Sequence, residues 1–157
     1  MRRIPTATAI AAIVSASTVI GVATAGTASA TPTATAARSA TLSVVKTSVG
    51  KILVDDQGLT LYMFTHDTRN TDTCAAISGC TAVWPPYLIS GKPTAGSGVK
   101  ASLLGTIKHG KREQVTYDGH ALYEYAQNDD PGATGYIGTL EFGGTWDGVS
   151  PAGTAVN

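Results

Sequence analysis

One pattern occurs twice along the chain. Val54-x-x-x-Gly58-x-x-Leu61-Tyr62-x-Phe64 returns as Val115-x-x-x-Gly119-x-x-Leu122-Tyr123-x-Tyr125, with every matched position offset by 61 residues. Trp84 and Trp146 continue the match at an offset of 62, so one residue has slipped in between. Two copies of this length cannot stack into a solenoid, which needs at least three repeats to bury its faces. The duplication predicts two related β-units, roughly 42–92 and 103–157, packed around one pseudo-twofold core. Pro93 to Gly98, a Gly/Ser-containing stretch, would link them.

The local pattern inside each copy favours strands. Val115-Thr116-Tyr117 and Ala121-Leu122-Tyr123-Glu124-Tyr125 flank Asp118-Gly119. Asp-Gly between two β-prone runs is a strong hairpin signal, because a type I′ turn needs positive φ at both central residues. A two-residue loop sets Tyr117 opposite His120, Val115 opposite Leu122 and Glu113 opposite Glu124. The first copy offers Asp56-Gln57-Gly58 between Ile52-Leu53-Val54 and Leu59 to Phe64. Leu42 to Lys46 and Gly105 to His109 supply a further strand for each copy. Helix is a minor component. Ser78 is expected to cap a short turn ending at Trp84, since Pro85-Pro86 forbids continuation, and Ser97 to open another near Val99 to Leu104. The expected class is therefore all-β and antiparallel, with one or two short helical turns. All ten aromatic residues fall between Tyr62 and Trp146, so the packed core belongs there.

The N-terminal region reads as an address. Arg2 and Arg3 precede an Ala/Ile/Val-rich stretch, Ala9 to Ala25, and Ala28-Ser29-Ala30 closes it. A basic start, an apolar middle and a small-x-small end describe a signal peptide over residues 1–30, cleaved after Ala30. The stretch is diluted by Ser15, Ser17, Thr18, Gly21, Thr24 and Gly26, and so is poorly suited to an uncleaved spanning helix. No stable membrane insertion is expected after cleavage, and no cysteine stands near the cleavage point to carry a lipid. Residues 31–41 have no aromatic and no apolar period, which predicts a flexible Thr/Ala-rich spacer before a domain over 42–157. Without residues 1–30 the chain carries nine Lys/Arg against eleven Asp/Glu. No basic cluster exists to displace counterions from phosphates, which excludes nucleic acid as a partner.

Candidates for chemistry are few. Cys74 and Cys80, with five residues between them, read as a disulfide in an exported protein. Met63, His66, His109 and His120, with the facing carboxylates Glu113 and Glu124, form the set from which a metal or redox site could draw, provided two or more converge. By strand alternation, however, Met63 lies on the core face of Leu59 and Leu61, and the histidines sit at turns or strand ends. Asp67-x-x-x-x-Asp72 and Asn128-Asp129-Asp130-Pro131-Gly132 lack the spacing of a calcium loop. Gly105-x-x-x-x-Gly110-Lys111 has Arg112 where a phosphate loop needs Ser or Thr. The repeated aromatics Tyr62, Phe64, Tyr123 and Tyr125 share one strand face and fill the interface between sheets, while Leu61 and Leu122 point the other way.

Tyr62-Met63-Phe64-Thr65-His66-Asp67 carries a Y-x-[FWY]-x-x-D motif, and Tyr123-Glu124-Tyr125-Ala126-Gln127-Asn128 repeats it with Asn128 in place of the acid. With Cys80 to Pro86, Gln114 to Gly119 and Trp146, these residues make about 45–153 resemble a bacterial family of secreted or lipoprotein repeats of unknown function. The cysteines here are more widely spaced than that family's usual short gap. The resemblance implies a cell-envelope setting and carries no activity to any residue. The expectation is an exported, non-enzymatic binding or structural module with an extracellular or cell-wall ligand and no cofactor. The alternative is an extracytoplasmic metal-binding or redox protein using the His/Met set. Asp67 is expected to act as a turn residue that accepts backbone N–H groups.

Overall fold

A computed structural model describes residues 40–127 and 130–157. The expected signal peptide, the spacer up to residue 39, and Asn128 and Asp129 lie outside the described residues. Ala40 is already buried and Thr41 begins the first strand, so the folded chain starts ahead of the expected spacer end at residue 41.

Each copy opens with a tight hairpin. β1 (Thr41–Thr47) pairs antiparallel with β2 (Gly50–Val54), and in the second copy β6 (Leu104–His109) pairs with β7 (Arg112–Tyr117). Thr47↔Gly50 and His109↔Arg112 close the two turns at equivalent places. β8 (His120–Ala121) then folds back on β7 through Asp118-Gly119, with φ of 48° and 77°. Both values are positive, as the type I′ turn requires, and Gly119 leaves room for the Arg69 guanidinium, 3.1 Å from where a Cβ would stand. The register places Tyr117 opposite His120, and Leu122 N donates to Val115 O.

Glu113 does not face Glu124. β4 (Leu88–Ile89) occupies that side of β7, with Ile89 opposite Glu113, while Glu124 N donates to Pro85 O. Glu113 instead forms an ion pair with Lys108 on the neighbouring strand. The first copy's turn is also longer than expected, and it begins at Asp55. The Asp55 carboxylate accepts the Gln57 and Leu59 amides at 2.9 and 2.8 Å.

The two copies are interleaved, not laid side by side. β3 (Tyr62–Phe64), from the first copy, pairs with β10 (Gly144–Val149) from the second, with Phe64 opposite Trp146 and Tyr62 opposite Gly148. Reciprocally, Pro86 lies opposite Tyr123, and Ala126 N donates to Val83 O. Thr65 N donates to Thr145 O in the symmetric position. Tyr62 and Tyr123 join the two pairs by exchanging both backbone hydrogen bonds, each 2.9 Å long. A local two-fold axis therefore passes between the two motif tyrosines. Each copy gives its tryptophan-bearing segment to the other copy's aromatic segment.

The link Pro93 to Gly98 is likewise no free connector. β5 (Thr94–Ala95) runs parallel beside β1, the one parallel pairing among the described strands, and Gly96 N donates to Leu42 O at 2.7 Å. β9 (Thr139–Glu141) and β11 (Ala155–Val156) pair antiparallel with β10 and complete the all-β fold. Helix is confined to α1 (Cys80–Val83) and single turns over Cys74–Ala76 and Ala101–Leu103 among the described residues. Gly79, not Ser78, is the N-cap of α1, and Lys100, not Ser97, precedes the 101–103 turn; neither bears a side-chain cap.

Strand alternation sorts the core into two layers. Leu61, Met63 and Leu122 join Leu42, Leu53, Val115, Tyr117 and Val149 in one layer, while Tyr62, Phe64, Tyr123 and both tryptophans form the other. Cys74 and Cys80, fully buried and disulfide-bonded, cover the aromatic layer. Closing so short a ring stabilises by about 2 kcal/mol on the chain-entropy account.

Candidate functional site

The duplicated aromatics meet across the two-fold axis. Trp84 and Trp146 stack face to face, centroids 4.2 Å apart and planes 2° from parallel. Phe64 stacks on Trp146 at 4.2 Å, and its counterpart Tyr125 meets Trp84 at 4.8 Å. Tyr62 sets its edge against Trp84 at 5.1 Å, and Tyr123 does the same to Trp146 at 5.0 Å. Each tyrosine thus braces the tryptophan of its own copy, and each following aromatic packs on the tryptophan of the other, Phe64 stacked and Tyr125 tilted. Such pairs contribute roughly 0.5–1.5 kcal/mol each beyond burial, and three of them, Trp84–Trp146, Phe64–Trp146 and Tyr125–Trp84, cross the copy boundary. The column ends at half-exposed Tyr125, which packs on Tyr136 at 3.8 Å beside Phe142.

The symmetry breaks at the polar end of the tyrosines. After β3 the chain turns, Asp67 N donating to Phe64 O, and runs through Asp72 to the disulfide. The Tyr123 hydroxyl, reaching over from the second copy, lies 2.7 Å from Asp67 Oδ2 and 2.9 Å from Asp72 Oδ1. Asp67 Oδ1 accepts the Thr73 amide at 2.7 Å, and Asp72 Oδ1 accepts the Ala75 amide at 2.8 Å. His109, at the end of β6, places Nδ1 3.0 Å from Asp72 Oδ2. Arg69 flanks the cluster, paired with Asp118 at 2.9 Å, and Asn70 N donates to Gly119 O.

Burial sets the electrostatics here. It pushes the Asp67 carboxyl above the ordinary aspartate range, against the lowering effect of the bonds from Tyr123 and Thr73. Burial, then the neighbouring carboxylates, push the Tyr123 hydroxyl far up. His120, beside Arg69, is pushed down, first by burial and then by that cation. Tyr62 is raised by burial as well, but no carboxylate pair meets its hydroxyl among the described residues. Its motif partner Asn128 lies outside them.

The remaining candidates are dispersed. Met63 is in the core, 6% exposed. His66 leans on the Phe64 ring at 5.7 Å, and Glu113 is held below the usual carboxylate range by Lys108. Among the described residues, no three His, Cys, Asp or Glu side chains come together as a metal site. Asp72, weighed in the sequence only as part of an acidic stretch, meets the distant Tyr123, and two residues without a sequence signal join it: Glu141, which accepts the Trp84 indole N–H at 2.9 Å, and Asp147, buried on β10. Two open hollows, of about 290 and 370 Å³, flank Pro93 to Thr106 and the β1–β2 turn. The described residues lining them include no His, Cys, Asp or Glu.

The fold and its site define a two-copy β-repeat protein whose motif residues form the seam between the copies. Residues 43–87, the first copy, match a family described as a secreted repeat of unknown function. No curated protein and no solved structure gives a significant match to the chain. No helix among the described residues is long and apolar enough to cross a membrane.

Proposed function

We propose that the chain is exported and acts outside the cell as a non-enzymatic binding module for an extracellular or cell-wall ligand. The observation that supports this reading is how its reactive side chains are used. Asp67, Asp72, His109 and Tyr123 are bonded to one another and to backbone amides. The two open hollows have no His, Cys, Asp or Glu among their described lining residues. A general acid or base must reach a bound substrate, and these groups face the seam between the copies. What the chain presents outward is a braced scaffold ending in the Tyr125–Tyr136 pair.

Two measurements on protein recovered from its native host test this. Elemental analysis with an absorption spectrum should show no stoichiometric metal or chromophore, and co-sedimentation should retain the protein on isolated cell-wall sacculi or on a medium component. Stoichiometric copper or haem would overturn the reading in favour of a metal or redox role. Retention on neither material would overturn the binding role. Intact mass of the medium protein should correspond to a chain starting at Thr31; recovery only from membranes with Met1 retained contradicts export by cleavage.

A further inference from the structure

We propose that the Asp67–Tyr123–Asp72 junction holds one extra proton, on the Asp67 carboxyl, and that this proton makes the junction a pH-sensitive clamp between the disulfide segment and the second copy. Tyr123 Oη lies at hydrogen-bond distance from two carboxyl oxygens, 2.7 Å from Asp67 Oδ2 and 2.9 Å from Asp72 Oδ1. A hydroxyl has one proton to donate, so two carboxylates cannot both accept from it. One of the two contacts needs a proton of its own.

Geometry says which. The Asp72 oxygen that faces Tyr123, Oδ1, already accepts the Ala75 amide. Asp72 is therefore the acceptor. Asp67 takes the Thr73 amide on Oδ1, leaving Oδ2 turned to Tyr123 Oη. The chain of donation runs from Asp67 Oδ2–H to Tyr123 Oη, and from Tyr123 Oη–H to Asp72 Oδ1. Burial raises the Asp67 carboxyl and so acts in the same direction. The charged and titratable groups around it are Asp72 and Arg69 on its own segment, Tyr123 and His120 from the second copy, Asp118 paired with Arg69, and His109 beyond Asp72.

When pH rises through the Asp67 value, the proton passes to solvent and two carboxylates face one hydroxyl oxygen. Like charges sharing a site repel, and the segment from Asp67 to Cys80 loses its hold on the second copy. When pH falls, the clamp closes.

The test follows the full chain by NMR, reading the Asp67 carboxyl carbon and the exchange of the Thr73 amide against pH. Asp67 should titrate above the free aspartate value of about 3.9. Above that midpoint, Thr73 protection, corrected for intrinsic exchange, should fall by up to about tenfold per pH unit, the slope for one linked proton. In Asp67→Asn the side-chain amide can donate to Tyr123 Oη, so Thr73 protection should become independent of pH. An Asp67 titration at or below the free value would overturn the proposal, whether or not the variant folds. So would Thr73 protection in Asp67→Asn that still tracks pH as in the parent.

Discussion

Asp147 sits on β10 opposite Met63, 3% exposed as a residue and its Oδ1 without a hydrogen-bond partner among the described residues. Burial pushes this carboxyl up. A raised folded-state value means that its contribution is fully present below the ordinary aspartate range and is lost as pH rises through the raised value. Asp147→Asn should therefore increase stability at neutral pH by on the order of 1 kcal/mol and flatten the gain on mild acidification. Urea melts on both sides of the transition measure this. Asp67 is the second residue of this kind. Asp67→Ala should lose about 1–2 kcal/mol for the abandoned Thr73 amide and Tyr123 hydroxyl, whereas Asp67→Asn should cost little. Equal damage from both in denaturant melts would show that the negative charge itself is required. That Asp67 accepts a backbone amide could be anticipated from its place after an aromatic strand. Its bond to Tyr123 could not, because the motif shows each copy's residues and not which residue of the other copy they meet.

Among the elements, the equivalent tryptophans differ in one respect. Trp84 donates its indole N–H to Glu141, while the Trp146 indole nitrogen has no hydrogen-bond partner among the described residues. Both lose similar stacking when cut to phenylalanine, so Trp84→Phe should destabilise by about 1 kcal/mol more than Trp146→Phe. Adding Glu141→Gln to each variant should narrow the gap, as urea midpoints of the four proteins would record. The loop between β10 and β11 is constrained differently. A Cβ on Gly153 would stand 2.4 Å from Asp118 Cβ, at a φ of +82°. Gly153→Ala should cost on the order of 2 kcal/mol or more and shift the melting midpoint accordingly. The hairpins were legible because Asp-Gly and strand alternation are local signals. The pinned course of Pro93 to Gly98 was not, since it answers to β1, distant in the chain.

At the scale of the whole molecule, the duplication announced two related units around a two-fold axis, and the paired Tyr62 and Tyr123 backbones realise it. What the repeat could not announce is the exchange of segments. A periodic match gives equivalence between copies and is silent on whether a strand pairs within its own copy or across. Here Trp146 on β10 lies against Phe64 of β3, and Trp84 against Tyr125, so neither copy holds a complete aromatic layer by itself. The copies must then rise and fall together. The most direct measurement is native-state hydrogen exchange across a denaturant series, comparing amides of the first-copy hairpin such as Leu53 with those of the second such as Val115. An interleaved core predicts one opening free energy and one denaturant slope for both. Two separate openings, with one hairpin exchanging while the other stays protected, would contradict it.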